Sequence, residues 1–228
     1  MQSSDSSDSS ADKPAQDLFL LGSLLLLILA HPLLDGVFWG QAVLGLMTFV
    51  PLVIALVRMS QKKHLVWPFA ALLIAAFACA IAAHISGDRV LTAIQFALAA
   101  IAFAVSVAGL FSYLQAGTAT RITAGHLYTA GSIYLLLVVL FFALYSCMVA
   151  IHPDAFEKTS GGTTGTTGNA IDLLYFSMCT LTTVGYGDIV PVRPVARMLA
   201  GLEATTGVLY VAITVSLLVS GYKARPRP

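Results

Sequence analysis

The chain has 228 residues, of which 58% are hydrophobic and only 10% charged, and its formal net charge is +1. That balance excludes a soluble domain with a charged surface and gives no footing for nucleic acid or an acidic partner. What it leaves is an integral membrane protein.

Residues 1–16, MQSSDSSDSSADKPAQ, are rich in Ser and Asp and poor in aliphatic side chains, which predicts a disordered tail. The Leu-rich stretch that follows has mostly acidic residues before it and no convincing cleavage site, so it reads as a retained span and not a secretory signal. A helix needs about 20 apolar residues to cross the hydrocarbon core. By that measure the sequence predicts spans at about 17–34, 37–57, 65–86, 90–115 and 127–151, with a sixth at about 194–221. Asp35-Gly36 and Gly87-Asp88-Arg89 read as turns, and Arg58, Lys62, Lys63 and His64 form the strongest basic cluster.

Lys and Arg set the orientation, because short cytoplasmic loops carry their excess. With the N-terminus inside, the cytoplasmic segments hold Lys13, Arg58, Lys62, Lys63, Arg121, Lys223, Arg225 and Arg227, and the outer ones hold Arg89, Lys158, Arg193 and Arg197. Eight against four places both chain ends in the cytoplasm of a multi-pass protein of the cell membrane.

Between the fifth and sixth spans, residues 152–169 are polar, with a low-complexity core GGTTGTTG that predicts a flexible outer turret. Asn169 then caps a short helix over about 170–181, with Asp172 three residues on in the manner of a capping box. This helix is about half a crossing long, so the chain must re-enter rather than cross. It delivers Thr182-Thr183-Val184-Gly185-Tyr186-Gly187-Asp188, a string that occurs once in the chain.

From Ile171 to Asp188, with both flanking spans, the sequence resembles the pore module of the tetrameric potassium channels. The resemblance implies an all-α membrane protein of six transmembrane helices, with a re-entrant pore helix and selectivity filter between the fifth and sixth. It implies that the carbonyls of Thr183, Val184, Gly185 and Tyr186, with the Thr183 hydroxyl, replace the water shell of a potassium ion. Thr182, Gly187 and Asp188 complete the filter, with Gly185 and Gly187 supplying conformations that a side chain forbids. One filter per chain makes the implied partners three further copies, beside membrane lipid and an unidentified regulatory subunit. Potassium is then the permeant ion and no cofactor is called for.

Two departures from familiar members stand out. Cys179 takes the position where some members carry a Glu that hydrogen-bonds the Asp after the filter, so that buttress is expected to be missing. Tyr175 and Phe176 replace a pair of Trp residues. Altered filter stability or inactivation is the expected result.

In the sixth span, Gly207 falls where the family places a gating hinge, and close helix packing is the competing role. Val208, Val211 and Val215 share one helical face and are candidates to line an inner cavity. Glu203 is an acidic residue well inside a span, which marks it as a gating or proton-sensing candidate beside a purely structural hydrogen-bonding role. The fourth span carries no arginine repeat, so residues 17–126 read as a four-helix membrane domain without a voltage sensor. Residues 127–221 read as the pore domain, and 222–228 as a short basic tail with no room for a cytosolic regulatory domain. The expected activity is passive, potassium-selective conduction with no enzymatic step. The alternatives are a subunit of a potassium transporter resembling the Trk-like systems and a non-conducting modulatory subunit.

Overall fold

The computed structural model of the chain describes residues 8–34, 40–59, 63–118, 123–160 and 163–223. The expected turn at Asp35-Gly36, Lys62 of the basic cluster, Arg121, Gly161-Gly162 and the tail residues Arg225 and Arg227 lie outside the described residues.

Among the described residues seven helices follow in chain order: α1 (Asp8–Leu34), α2 (Gly40–Met59), α3 (Lys63–Ser86), α4 (Arg89–Thr118), α5 (Ala124–Ile151), α6 (Ala170–Leu181) and α7 (Pro194–Lys223). Among the described residues, α1, α3, α4, α5 and α7 are long and apolar enough to cross a membrane, and α2 holds a shorter apolar stretch, Val43–Ala55. Helix α1 begins nine residues before Asp17, so residues 8–16, expected as disordered tail, continue the first helix. Once a span is helical, each further residue adds a backbone hydrogen bond without a new nucleation cost, which carries the helix into this polar stretch.

The all-α expectation is corrected at 152–169. There β1 (Phe156–Ser160) and β2 (Thr163–Thr166) pair antiparallel, and β1 also pairs antiparallel with β3 (Ile189–Pro191), giving the order β2-β1-β3. Threonine is β-branched and suits a pleated surface, and the Gly-Gly between the strands is a dipeptide favoured in two-residue hairpins. Low complexity had suggested flexibility, but the composition is also that of a hairpin.

Helix α5 is the axle of the fold. It packs on α1, α4, α6 and α7 and is buried over most of its length, whereas α7 is mostly exposed. Apolar burial alone does little to join helices in lipid, so specific packing and polar links matter more. Such links on α5 include the Thr129 hydroxyl, which donates to Asp17 of α1 at 2.9 Å, and Ala130 O, which accepts from the Tyr210 hydroxyl of α7 at 2.6 Å. His31 is buried with its ring edge-on to Phe142 at 5.7 Å. Apolar side chains such as Phe19, Trp67, Ile74 and Ile85 face outward, an arrangement suited to lipid.

Candidate functional site

Helix α6 aims the site. Its first turn is capped by Asn169, whose Oδ1 accepts from the Ile171 N–H at 3.3 Å. Asp172 is not used for capping. Its carboxylate accepts from Lys158 Nζ at 2.7 Å and from the Thr167 hydroxyl at 2.6 Å, fastening the hairpin to the helix. The far end of α6 closes on Thr182, whose hydroxyl donates back to Met178 O at 2.6 Å.

Beyond Thr182 the backbone changes character. Thr183, Gly185 and Gly187 have φ of 60°, 54° and 78°, so every second residue is left-handed. For the glycines this is free of steric cost, but for a β-branched Thr it is a marked outlier of the kind that persists where function requires it. The turn into this run is held by the Cys179 carbonyl, which accepts from the Val184 N–H at 2.9 Å and the Gly185 N–H at 3.3 Å. Residues 182–187 are all exposed within the single chain.

The run is braced from both sides. Tyr186 stacks on Tyr175 with ring planes 3° apart and centroids at 6.3 Å. The Tyr175 side chain also lies beside Asp188 and Cys179. Cys179 offers Asp188 no carboxylate, and the side chain set near both is Tyr175, one turn earlier. On the outer side Asp188 O accepts from the Thr159 N–H at 2.8 Å, so the hairpin grips the backbone where the run ends.

Phe176 does not touch the run. It forms a triangle of edge-on rings with Tyr145 and Phe156, with centroids 5.2–5.3 Å apart, uniting α5, α6 and β1. Phe156 is fully buried and was missed from sequence, where it stands inside a polar segment. Its signal was its being the lone aromatic between His152 and Asn169.

Behind α6 lies α7. Glu203 is fully buried, with Oε2 2.5 Å from the Tyr145 hydroxyl and Oε1 2.6 Å from Ser177 Oγ. Ser177 Oγ is also 2.9 Å from Val138 O. One turn further, a Cβ on Gly207 would overlap the carbonyl oxygen of Leu181, the last residue of α6. Close packing is thus one reason for glycine there, and α7 runs through it as unbroken helix. Val208, Val211 and Val215 are exposed, and so are Leu209 and Ile213, so exposure alone does not single out one face.

Residues 132–222 match the family model described as "Ion channel". The chain is 43% identical over 49 residues to the "Potassium voltage-gated channel protein shk-1" of Caenorhabditis elegans, which is 22% of this chain and 9% of that protein. It is 38% identical over 55 residues to the "Inward rectifier potassium channel Kirbac3.1" of Paramagnetospirillum magnetotacticum, 24% of this chain and 19% of that one. With "Two-pore potassium channel 4" of Arabidopsis thaliana it shares 36% identity over 86 residues, 38% of this chain and 28% of that one. These alignments therefore reach less than a third of each relative's length. No solved structure gives a significant match. All three relatives are named as potassium channels.

Proposed function

We propose that this chain is the subunit of a homotetrameric channel that conducts potassium passively and selectively. The observation that carries the reading is the left-handed residue at every second position from Thr183 to Gly187, exposed at the end of a half-length helix. In a tetramer, four such runs face one axis. The carbonyls of Thr183, Val184, Gly185 and Tyr186 and the Thr183 hydroxyl then replace an ion's hydration shell. One filter per chain requires four chains, and the largely exposed α7 supplies a face for the neighbouring copies.

In this reading six helices cross the membrane, α6 re-enters, and both termini lie in the cytoplasm of a cell-membrane protein. Helices α1 to α4 form a scaffold toward lipid or a regulatory subunit. Conduction needs no cofactor and no covalent step. The pore follows the ion's gradient because each site binds strongly enough to admit the ion and weakly enough to release it. The test is the mass of the detergent-solubilised particle, followed by potassium and sodium uptake into liposomes containing it. A tetramer passing potassium in preference to sodium is expected. A monomeric particle, or a tetramer without that preference, overturns the reading.

A further inference from the structure

The contacts around Glu203 contain a proton count. Ser177 Oγ stands 2.6 Å from Glu203 Oε1 and 2.9 Å from the Val138 carbonyl oxygen. Both are hydrogen-bond distances between oxygens, so each needs a proton, and a serine hydroxyl has one to give. A carbonyl has none. The Tyr145 hydroxyl spends its own proton on Oε2, 2.5 Å away. The missing proton therefore belongs on Oε1.

We infer that Glu203 is held as a neutral carboxylic acid that positions the pore helix, and that loss of its proton releases α7 from α6. The acid O–H donates to Ser177 Oγ, Ser177 donates to Val138 O, and Tyr145 donates to Oε2. One chain of hydrogen bonds then joins α7, α6 and α5, with every polar atom satisfied.

The surroundings agree with a neutral group. The phenols of Tyr145 and Tyr134 face it from α5. From α6 it meets Ser177, while the carboxylate of Asp172 on that helix is engaged by Lys158. On its own helix the nearest ionisable side chain toward the filter is Arg197, six residues earlier. No Lys, Arg or His pairs with Glu203 among the described residues. An ionised carboxylate would be fully buried without a cation, and the Ser177–Val138 contact would compete with it for one proton. Separation of α7 from α6 would relieve both by admitting water. That joint also contains the Gly207–Leu181 approach, two residues before the filter's left-handed run. The channel consequence rests on the proposed function above, while the protonation itself does not.

The test uses the full-length protein, with Glu203→Gln as the mimic of the neutral acid and Ser177→Ala as the break in the relay. Infrared difference spectra of the wild type across a pH titration should show the carbonyl stretch of a protonated carboxyl, absent from Glu203→Gln. Thermal stability of the wild type should fall as pH rises through the loss of that band, because the folded state holds a proton that the unfolded one has released. Glu203→Gln should lack this component. Potassium flux in liposomes should fall about tenfold over the same interval, corresponding to a tenfold difference in proton affinity between conducting and released states. It should stay level in Glu203→Gln and be low throughout in Ser177→Ala. Absence of the carboxyl band, or identical pH profiles of stability in wild type and Glu203→Gln, overturns the inference. A wild type that shows the band and the stability profile but passes no ion upholds the protonation and refutes the channel reading instead.

Discussion

Single residues set the tolerances of this site. Gly207 is the sharpest case, since its missing Cβ makes room for the Leu181 carbonyl, a backbone atom that cannot swing aside as a side chain would. Gly207→Ala should destabilise the folded protein by about 1–3 kcal/mol, the range for forcing extra volume into a packed contact. Thermal unfolding measures this, and an alanine variant as stable as wild type would show that the two helices separate freely. The role of glycine here was only half legible in sequence: spacing from the filter marked the position, but what α7 packs against depends on tertiary geometry. Tyr175 teaches the same lesson. Counting back from Asp188 drew attention to Cys179, whereas the side chain that stacks on Tyr186 starts one turn earlier, at Tyr175.

At the scale of elements, the hairpin supports the run from Thr182 to Asp188. Lys158 and Thr167 hold α6 through Asp172, Thr159 holds the Asp188 carbonyl, and Phe156 anchors β1 among Tyr145 and Phe176. Phe156→Ala removes a fully buried ring and should cost about 3–5 kcal/mol, seen as a lower unfolding temperature and faster hydrogen exchange in β1 and β3. Faster exchange confined to β2 would contradict the anchoring role.

The junction between hairpin and α7 carries a pH dependence. Arg193 donates to both oxygens of Asp154, from Nε at 3.1 Å and from Nη2 at 2.8 Å. Those hydrogen bonds hold the Asp154 carboxyl below its ordinary range. A carboxyl lowered on folding contributes stability above its unfolded titration and loses it as pH falls through the folded one. Asp154→Asn should therefore lower the unfolding temperature slightly at neutral pH, with the deficit closing in acid; the pair is exposed, so the effect is small. A deficit undiminished in acid would assign the loss to another contact.

The helix ends near residues 86, 151 and 181 were legible because apolar runs and caps mark them directly. The hairpin was not, because Thr- and Gly-rich sequence is shared by flexible loops and tight β-turns, and only pairing with a distant strand decides between them.

The whole molecule is a buried axle, α5, surrounded by helices whose outer faces are apolar, with the filter run at one end of a single chain. Composition alone predicted the membrane, and one motif predicted the chemistry, because a carbonyl-lined site needs a particular backbone and little else. The proposed assembly rests on the motif's single occurrence in the chain. The buried Glu203 network could be located in the sequence but not resolved, since Tyr145 lies 58 and Ser177 lies 26 residues away along the chain. Potassium selectivity is the central claim, and the reversal potential of a planar bilayer containing the tetramer, with potassium on one side and sodium on the other, tests it most directly. A reversal potential far from zero, in the sense of potassium permeating, is the predicted result; a value near zero through an otherwise conducting tetramer would contradict it.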